Sequence, residues 1–143
     1  FVNKISDIIL HHYLIRDNIK LIGIPLSGIP FASSVAYKLD LPLLLLRRNE
    51  KDYGLKKLIE GIYDNNTLCI LIEDVITTGN STLDVINTLK KHNINTIHVI
   101  SLFDRLEHKE PLFPNIKYTS ILTINEVPMV NEVPMVKDIP KSF

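Results

Sequence analysis

The sequence predicts an α/β protein with a mainly parallel, twisted sheet and helices on both faces. Three observations predict it. Short apolar runs at 21–24, 41–46, 68–72 and 96–103 are long enough for buried strands and too short for helices. Stretches of helical period lie between them, at 31–39 and 81–92. Strands that alternate with helices build βαβ units, and such units cover both faces of a parallel sheet. At 143 residues, one domain with its own core is expected.

The elements follow in order. Val2, Ile5, Ile8, Ile9, Leu10 and Tyr13 recur at helical spacing, so 2–15 reads as an amphipathic helix. The run at 21–24 ends at Pro25 and suits a buried strand; 25–30 is a loop. Residues 31–39, rich in Ala and Ser, form the second helix, and 41–46 the second strand. Residues 47–61 are polar and charged and read as a flexible loop. The strand at 68–72 ends in two acids, and the helix at 81–92 turns Leu83, Val85, Ile86 and Leu89 inward, with Asn93 as its stop. The fourth strand ends at Asp104 and Arg105, and 118–124 makes a fifth. The core domain therefore spans 1–124. The tail, 125–143, repeats residues 125–130 at 131–136, too short for a solenoid, and Pro128 and Pro134 disfavour a central strand.

Bulk composition narrows the function. Net charge is zero, so no global field draws the chain to nucleic acid or membrane, and an anion must be held by local groups. No apolar run approaches the roughly 20 residues that span a bilayer. The single cysteine, Cys69, sits in an apolar run, which fits a reducing, cytoplasmic setting and a buried small hydrophobe. The five histidines, at 11, 12, 92, 98 and 108, show no metal-ligand spacing with acids or cysteine. The chain begins at Phe1 inside a helical pattern, and a processed or truncated N-terminus is expected.

Chemistry concentrates in 73–82. A buried strand runs into Glu73 and Asp74; Val75, Ile76, Thr77, Thr78, Gly79, Asn80, Ser81 and Thr82 then lead into a helix. In parallel sheets, ligands bind at the carboxyl ends of strands. A helix N-terminus offers unpaired N–H groups to a phosphate, the hydroxyls add donors, and Gly79 allows close approach or positive φ. The acids would accept from sugar hydroxyls and help hold magnesium through water. An ordinary strand-to-helix turn with a polar cap is the plain alternative. There is neither a Walker P-loop nor a dinucleotide fingerprint. By composition alone, 47–61 is a solvated basic loop and Arg105 a surface arginine, whereas a tight turn at 24–30 could point backbone N–H groups at an anion, with a mere connection as the alternative.

Residues 70–82 resemble the phosphoribosyl-pyrophosphate (PRPP) motif of the type I phosphoribosyltransferases. The Glu73-Asp74 form is similar to the orotate phosphoribosyltransferases, most of all to that domain of the UMP synthases, and the likeness covers 2–124. It implies the type I phosphoribosyltransferase fold and transfer of phosphoribosyl from PRPP to orotate, giving orotidine 5′-monophosphate and pyrophosphate in UMP biosynthesis. The stretch from Arg47 to Gly61 resembles the family's mobile catalytic loop; Arg47, Arg48, Lys51 and Tyr53 take the pyrophosphate-contacting places, with Lys51 as the catalytic cation and Arg48 and Asp74 also in catalysis. Arg48 stands where Lys is usual, and Tyr53 where bacterial forms carry His. Leu26 and Ser27 fall in the pyrophosphate loop, Ser27 where bacterial members often have Lys. Thr77 and Arg105 would contact orotate.

The resemblance further implies Mg²⁺ carried by the substrate and Glu73/Asp74 without a direct protein cage, and a homodimer in which loop 47–61 reaches the neighbouring site. Family members carry an N-terminal segment that hoods the orotate, which this chain starts after, and no decarboxylase domain follows. The alternatives are a truncated, non-catalytic or regulatory relative, or an enzyme for another base.

Overall fold

A computed structural model describes residues 1–13, 18–47, 58–108 and 111–127. Six strands form one sheet in the order β3-β2-β1-β4-β5-β6. They are β1 (Ile19–Gly23), β2 (Leu43–Leu46), β3 (Ile59–Glu60), β4 (Leu68–Ile76), β5 (Asn95–Asp104) and β6 (Lys117–Thr123). Every pairing is parallel except that of β3 with β2. Among the described residues three α-helices cover the sheet: α1 (Val2–His12), α2 (Gly28–Leu39) and α3 (Asn80–Lys91).

Side chains that alternate along the central strands divide the core in two. Leu21, Ile70, Ile72 and Ile100 pack under Ile5 and Ile9 of α1 and Ala32, Val35 and Ala36 of α2. Ile22, Cys69, Leu71 and Val99 pack on the other face with Leu89 of α3. The chain leaves β1 toward β2 and leaves β4 toward β5, in opposite directions across the sheet. Right-handed crossovers running in opposite directions place their helices on opposite faces. The expected two-sided, mainly parallel α/β sheet is what forms.

Several boundaries differ from the sequence reading for physical reasons. α2 begins at Gly28, not at 31, because Pro30 falls in the first turn, where no N–H is required. β2 starts at Leu43: the Leu41 amide closes the end of α2 on Ala36 O at 3.0 Å, and Pro42 has no amide to give. β3 was hidden inside the stretch read as loop; two residues are too short to show a period, and only the pairing Leu46↔Ile59 and Leu45↔Glu60 reveals it. β4 continues through both acids to Ile76 instead of ending before them. Asn93 does stop α3, with φ at 59°. Arg48, Lys51 and Tyr53, and the repeat beyond Val127, lie outside the described residues.

One contact sets how α2 meets the sheet. A Cβ on Gly28 would stand 2.2 Å from the carbonyl oxygen of Ile72, and one on Gly23 would stand 2.5 Å from Ile29 Cα. Helix start and strand ends touch backbone to backbone. Gly28→Ala is expected to lower stability by about 2 kcal/mol or more through overpacking. A lower urea midpoint at unchanged slope would show it; an unchanged midpoint would refute the backbone contact.

Candidate functional site

The reversal between β1 and β4 is the topological switch point of the sheet, where a crevice opens beyond the strands' carboxyl ends. The turn after β1 and the turn after β4 face each other there. In the first, the Gly28 amide bonds Ile24 O at 3.0 Å and the Ile24 amide bonds Ile72 O at 2.9 Å. The Pro25–Leu26 peptide is cis. Ser27 stands at the N-cap of α2, yet its hydroxyl makes no cap bond. It lies near enough to the Asp74 carboxyl to help lower its pKa. The loop that the resemblance assigns to pyrophosphate thus faces the acids assigned to ribose.

The two acids differ in environment. Glu73 is 5% exposed, while Asp74 is half-buried at the crevice. Burial, then the adjoining Asp74, pushes the Glu73 carboxyl up to about 8. Burial also pulls Asp74 upward, but bonds from Glu73, from the Ser27 hydroxyl and from the Val75 amide more than offset it, and its carboxyl lies below the usual value. The Val75 amide sits 2.7 Å from Asp74 Oδ1. At neutral pH the pair holds a proton on Glu73 and a charge on Asp74. Two acids thus present one negative charge, which lessens repulsion of a phosphorylated ligand.

The turn after β4 prepares an anion site. Gly79 has φ 76°, and a Cβ there would approach Leu112 Cδ1 to 2.7 Å. α3 starts at Asn80 with no side-chain cap bond. Its first amides are therefore left for a ligand or solvent. Thr82 Oγ1 is buried and has no hydrogen-bond partner among the described residues. Thr78, Asn80 and Ser81 are exposed and Thr77 is half-buried. Val75 is exposed, whereas the Ile76 side chain belongs to the core, so Ile76 offers the site only backbone.

Arg47 leaves β2 with its amide on Leu58 O and its guanidinium 2.8 Å from Glu60. It lines a cleft of about 370 Å³ together with Pro25, Ser81 and Asp84. Arg47 and Ser81, far apart in sequence, thus share one wall-to-wall space. Leu26 is largely exposed beside it. Arg105 follows β5, its amide on Ile76 O at 2.9 Å, so it stands next to Thr77. Its guanidinium meets Glu107 at 2.6 Å. Sequence reading missed Asp84, Glu60 and Glu107. Asp84 had a signal, since it lies one helical turn after Ser81; the two ion-pair partners had none.

A magnesium ion would find few direct ligands: among the described residues no three His, Cys, Asp or Glu side chains group to hold a metal. The donor set, one charged carboxylate beside a protonated one, suits an ion that arrives on a pyrophosphate and meets Asp74 through water.

An α/β sheet with a phosphate-ready helix start at its switch point is shared by many nucleotide-handling proteins, and sequence likeness defines the class. The chain belongs to the phosphoribosyltransferase family: residues 2–134 match the phosphoribosyl transferase domain. Among relatives, it is 48% identical over 86 residues to a uridine 5′-monophosphate synthase of Caenorhabditis elegans, covering 59% of this chain and 17% of that protein. It is 36% identical over 114 residues to an orotate phosphoribosyltransferase of Methanosphaera stadtmanae, covering 78% of this chain and 64% of that one. The structure of Leishmania donovani UMP synthase superposes with a TM-score of 0.70 at 23% identity, over 87% of this chain and 26% of that one, a likeness of fold. The chain therefore spans less than two thirds of the length of these relatives.

The Glu73 proton has a measurable consequence. Its folded-state value, about 8, lies above the ordinary 4.5, so the stability it contributes is complete below 4.5 and lost as pH rises through 8. His98, lowered by burial to about 4, acts oppositely, but only below its ordinary 6.5. Between pH 6.5 and 8.5 the unliganded protein should therefore lose stability, and Glu73→Gln should flatten that loss. Parallel urea midpoints for the two proteins across this window would count against the buried, protonated Glu73.

Proposed function

We propose that the chain is an orotate phosphoribosyltransferase, acting in UMP biosynthesis with PRPP and orotate as substrates and Mg²⁺ as cofactor. The observation that carries the reading is the turn after β1, tied to β4 by the Ile24 amide on Ile72 O, facing Asp74 and the uncapped start of α3 at the switch point. It joins a pyrophosphate loop, a ribose-reading acid and a phosphate-reading helix start at one crevice. The choice of orotate rests on likeness to proteins that carry that name and on a cation, Arg105, beside Thr77.

In this reading the 5′-phosphate sits on the amides of Asn80 and Ser81, with Thr77, Thr78 and Ser81 hydroxyls around it. Asp74 accepts from a ribose hydroxyl, and protonated Glu73 holds Asp74 in place. Leu26 and Ser27 offer the turn after β1 to the pyrophosphate. Arg47, Arg48, Lys51 and Tyr53 approach its other side, with Lys51 neutralising the charge that gathers as it departs. A magnesium ion carried on PRPP, met by Asp74 through water, would add neutralisation of that leaving group. Orotate nitrogen forms a bond to the anomeric carbon while the bond to pyrophosphate breaks; the electron pair leaves with pyrophosphate, and the proton lost from the nitrogen passes to the departing pyrophosphate or solvent. Arg105 and Thr77 hold the acceptor's carboxylate and ring. Loop 47–61, closing from the partner of a homodimer, would keep water from the donor.

The test is direct. The purified chain, given PRPP, Mg²⁺ and orotate, should form orotidine monophosphate, followed by the loss of orotate absorbance. Lys51→Ala and Asp74→Asn should each lower kcat/KM by about 10² or more, the scale for losing one preorganised charge contact. Tight donor binding with turnover on adenine or another base, and none on orotate, would replace the acceptor assignment. Failure to bind PRPP at all would remove the whole reading.

A further inference from the structure

We propose that Tyr118 and His108 are positioning residues that set Arg105 for the acidic base; the inference rests on the reading of Arg105 as the acceptor's partner. β5 ends in Asp104, which is 2% exposed. A buried carboxylate needs donors, and this one has three. Tyr118 Oη donates at 2.6 Å, His108 Nε2 lies 3.0 and 2.9 Å from the two oxygens, and the Leu106 amide donates at 2.8 Å. Together with burial, which alone would raise it, these bonds leave the Asp104 carboxyl below its usual value, hence charged.

Tyr118 is itself held. Its oxygen lies 3.0 Å from Ser101 Oγ, which lies 3.0 Å from Ser120 Oγ. Its ring meets Phe113 edge-on at 5.5 Å and His108 at 6.2 Å. Burial, and then the Asp104 bond, raise its hydroxyl well above the ordinary tyrosine value, so it remains a donor throughout the neutral range.

The consequence falls on the residue between. Arg105 has its own amide fixed to Ile76 O, and the next amide, Leu106, fixed to Asp104, with Leu106 at φ 57°. The backbone of Arg105 is thus pinned on both sides, and its half-exposed side chain leaves beside Thr77. Asp104 is also the nearest carboxylate in sequence to that guanidinium. Because Tyr118, His108 and Leu106 occupy its oxygens, it does not claim Arg105 as an ion-pair partner. The exposed Glu107 does, and a pair of that kind is weak enough for an incoming carboxylate to displace.

Two variants and two measurements test this. In Tyr118→Phe and His108→Gln, KM for orotate should rise about ten-fold, the scale of one lost bond to a charged group, while KM for PRPP stays at the wild-type value. A purely structural role would move both constants together, and unchanged constants would also overturn the proposal. Hydrogen exchange on the unliganded chain gives a second readout that needs no acceptor. The Leu106 amide should exchange at least ten-fold faster in either variant, with β4 amides still protected. If wild-type protein binds PRPP but not orotate, the function assignment has failed and the Leu106 exchange rate alone decides whether the clamp exists. An unchanged rate in a folded variant overturns it, and His108→Gln provides that variant if Tyr118→Phe does not fold.

Discussion

Gly28 rests on the carbonyl oxygen of Ile72 with no room for a Cβ between them, and the geometry of the crevice depends on that contact. It allows the Ile24 amide to continue the hydrogen bonding of β1 onto β4 at the strand ends. It brings the N-cap of α2 down to the level of the acids, close enough for the Ser27 hydroxyl to help lower the Asp74 carboxyl. A bulkier residue would lift α2 and separate the turn after β1 from the turn after β4. The two turns proposed to hold pyrophosphate and ribose would then no longer belong to one site.

The electrostatics follow from the same packing. β4 is central and buried, so an acid within it must be neutral, paired, or strongly bonded. Glu73 takes the first solution and Asp74 the third. Their shared proton keeps the crevice from carrying two charges where a phosphorylated ligand must approach. At the next strand the same problem is solved differently: Asp104 stays charged and is surrounded by donors from β6 and from its own loop. Both solutions keep a carboxylate at a strand's carboxyl end without exposing the ligand to its full charge.

Much of this was legible in the sequence. Runs such as 68–72 and 96–103 are apolar enough to be buried whichever way they face, so β4 and β5 could be found from composition and length. Residues 73–82 could be read because their chemistry is local: acids, hydroxyls and a glycine in one short stretch between strand and helix. What escaped is what depends on burial or on distant partners. No local pattern says that β4 continues through Glu73 and Asp74, since that requires knowing that Glu73 is dry enough to keep a proton. β3 is only two residues long and exists because β2 offers it an edge. The Tyr118–Asp104 bond crosses from one strand to the next, and neither residue announces the other.

The division of labour across the sheet bears on how specificity is built. The groups proposed for the donor come from the ends of β1 and β4 and the start of α3, around the switch point. The acceptor's candidate groups come from Thr77 and from the loop after β5, braced by β6. The two halves share Thr77 and adjoin along the seam where the Arg105 amide bonds Ile76 O at the end of the β4–β5 pairing. A fold arranged this way can keep its phosphate and ribose contacts intact while the loop after β5 changes what base it accepts. The Asp104 cluster lies on the acceptor side of that seam. Its residues are therefore free to bear on the choice of base without being constrained by the donor.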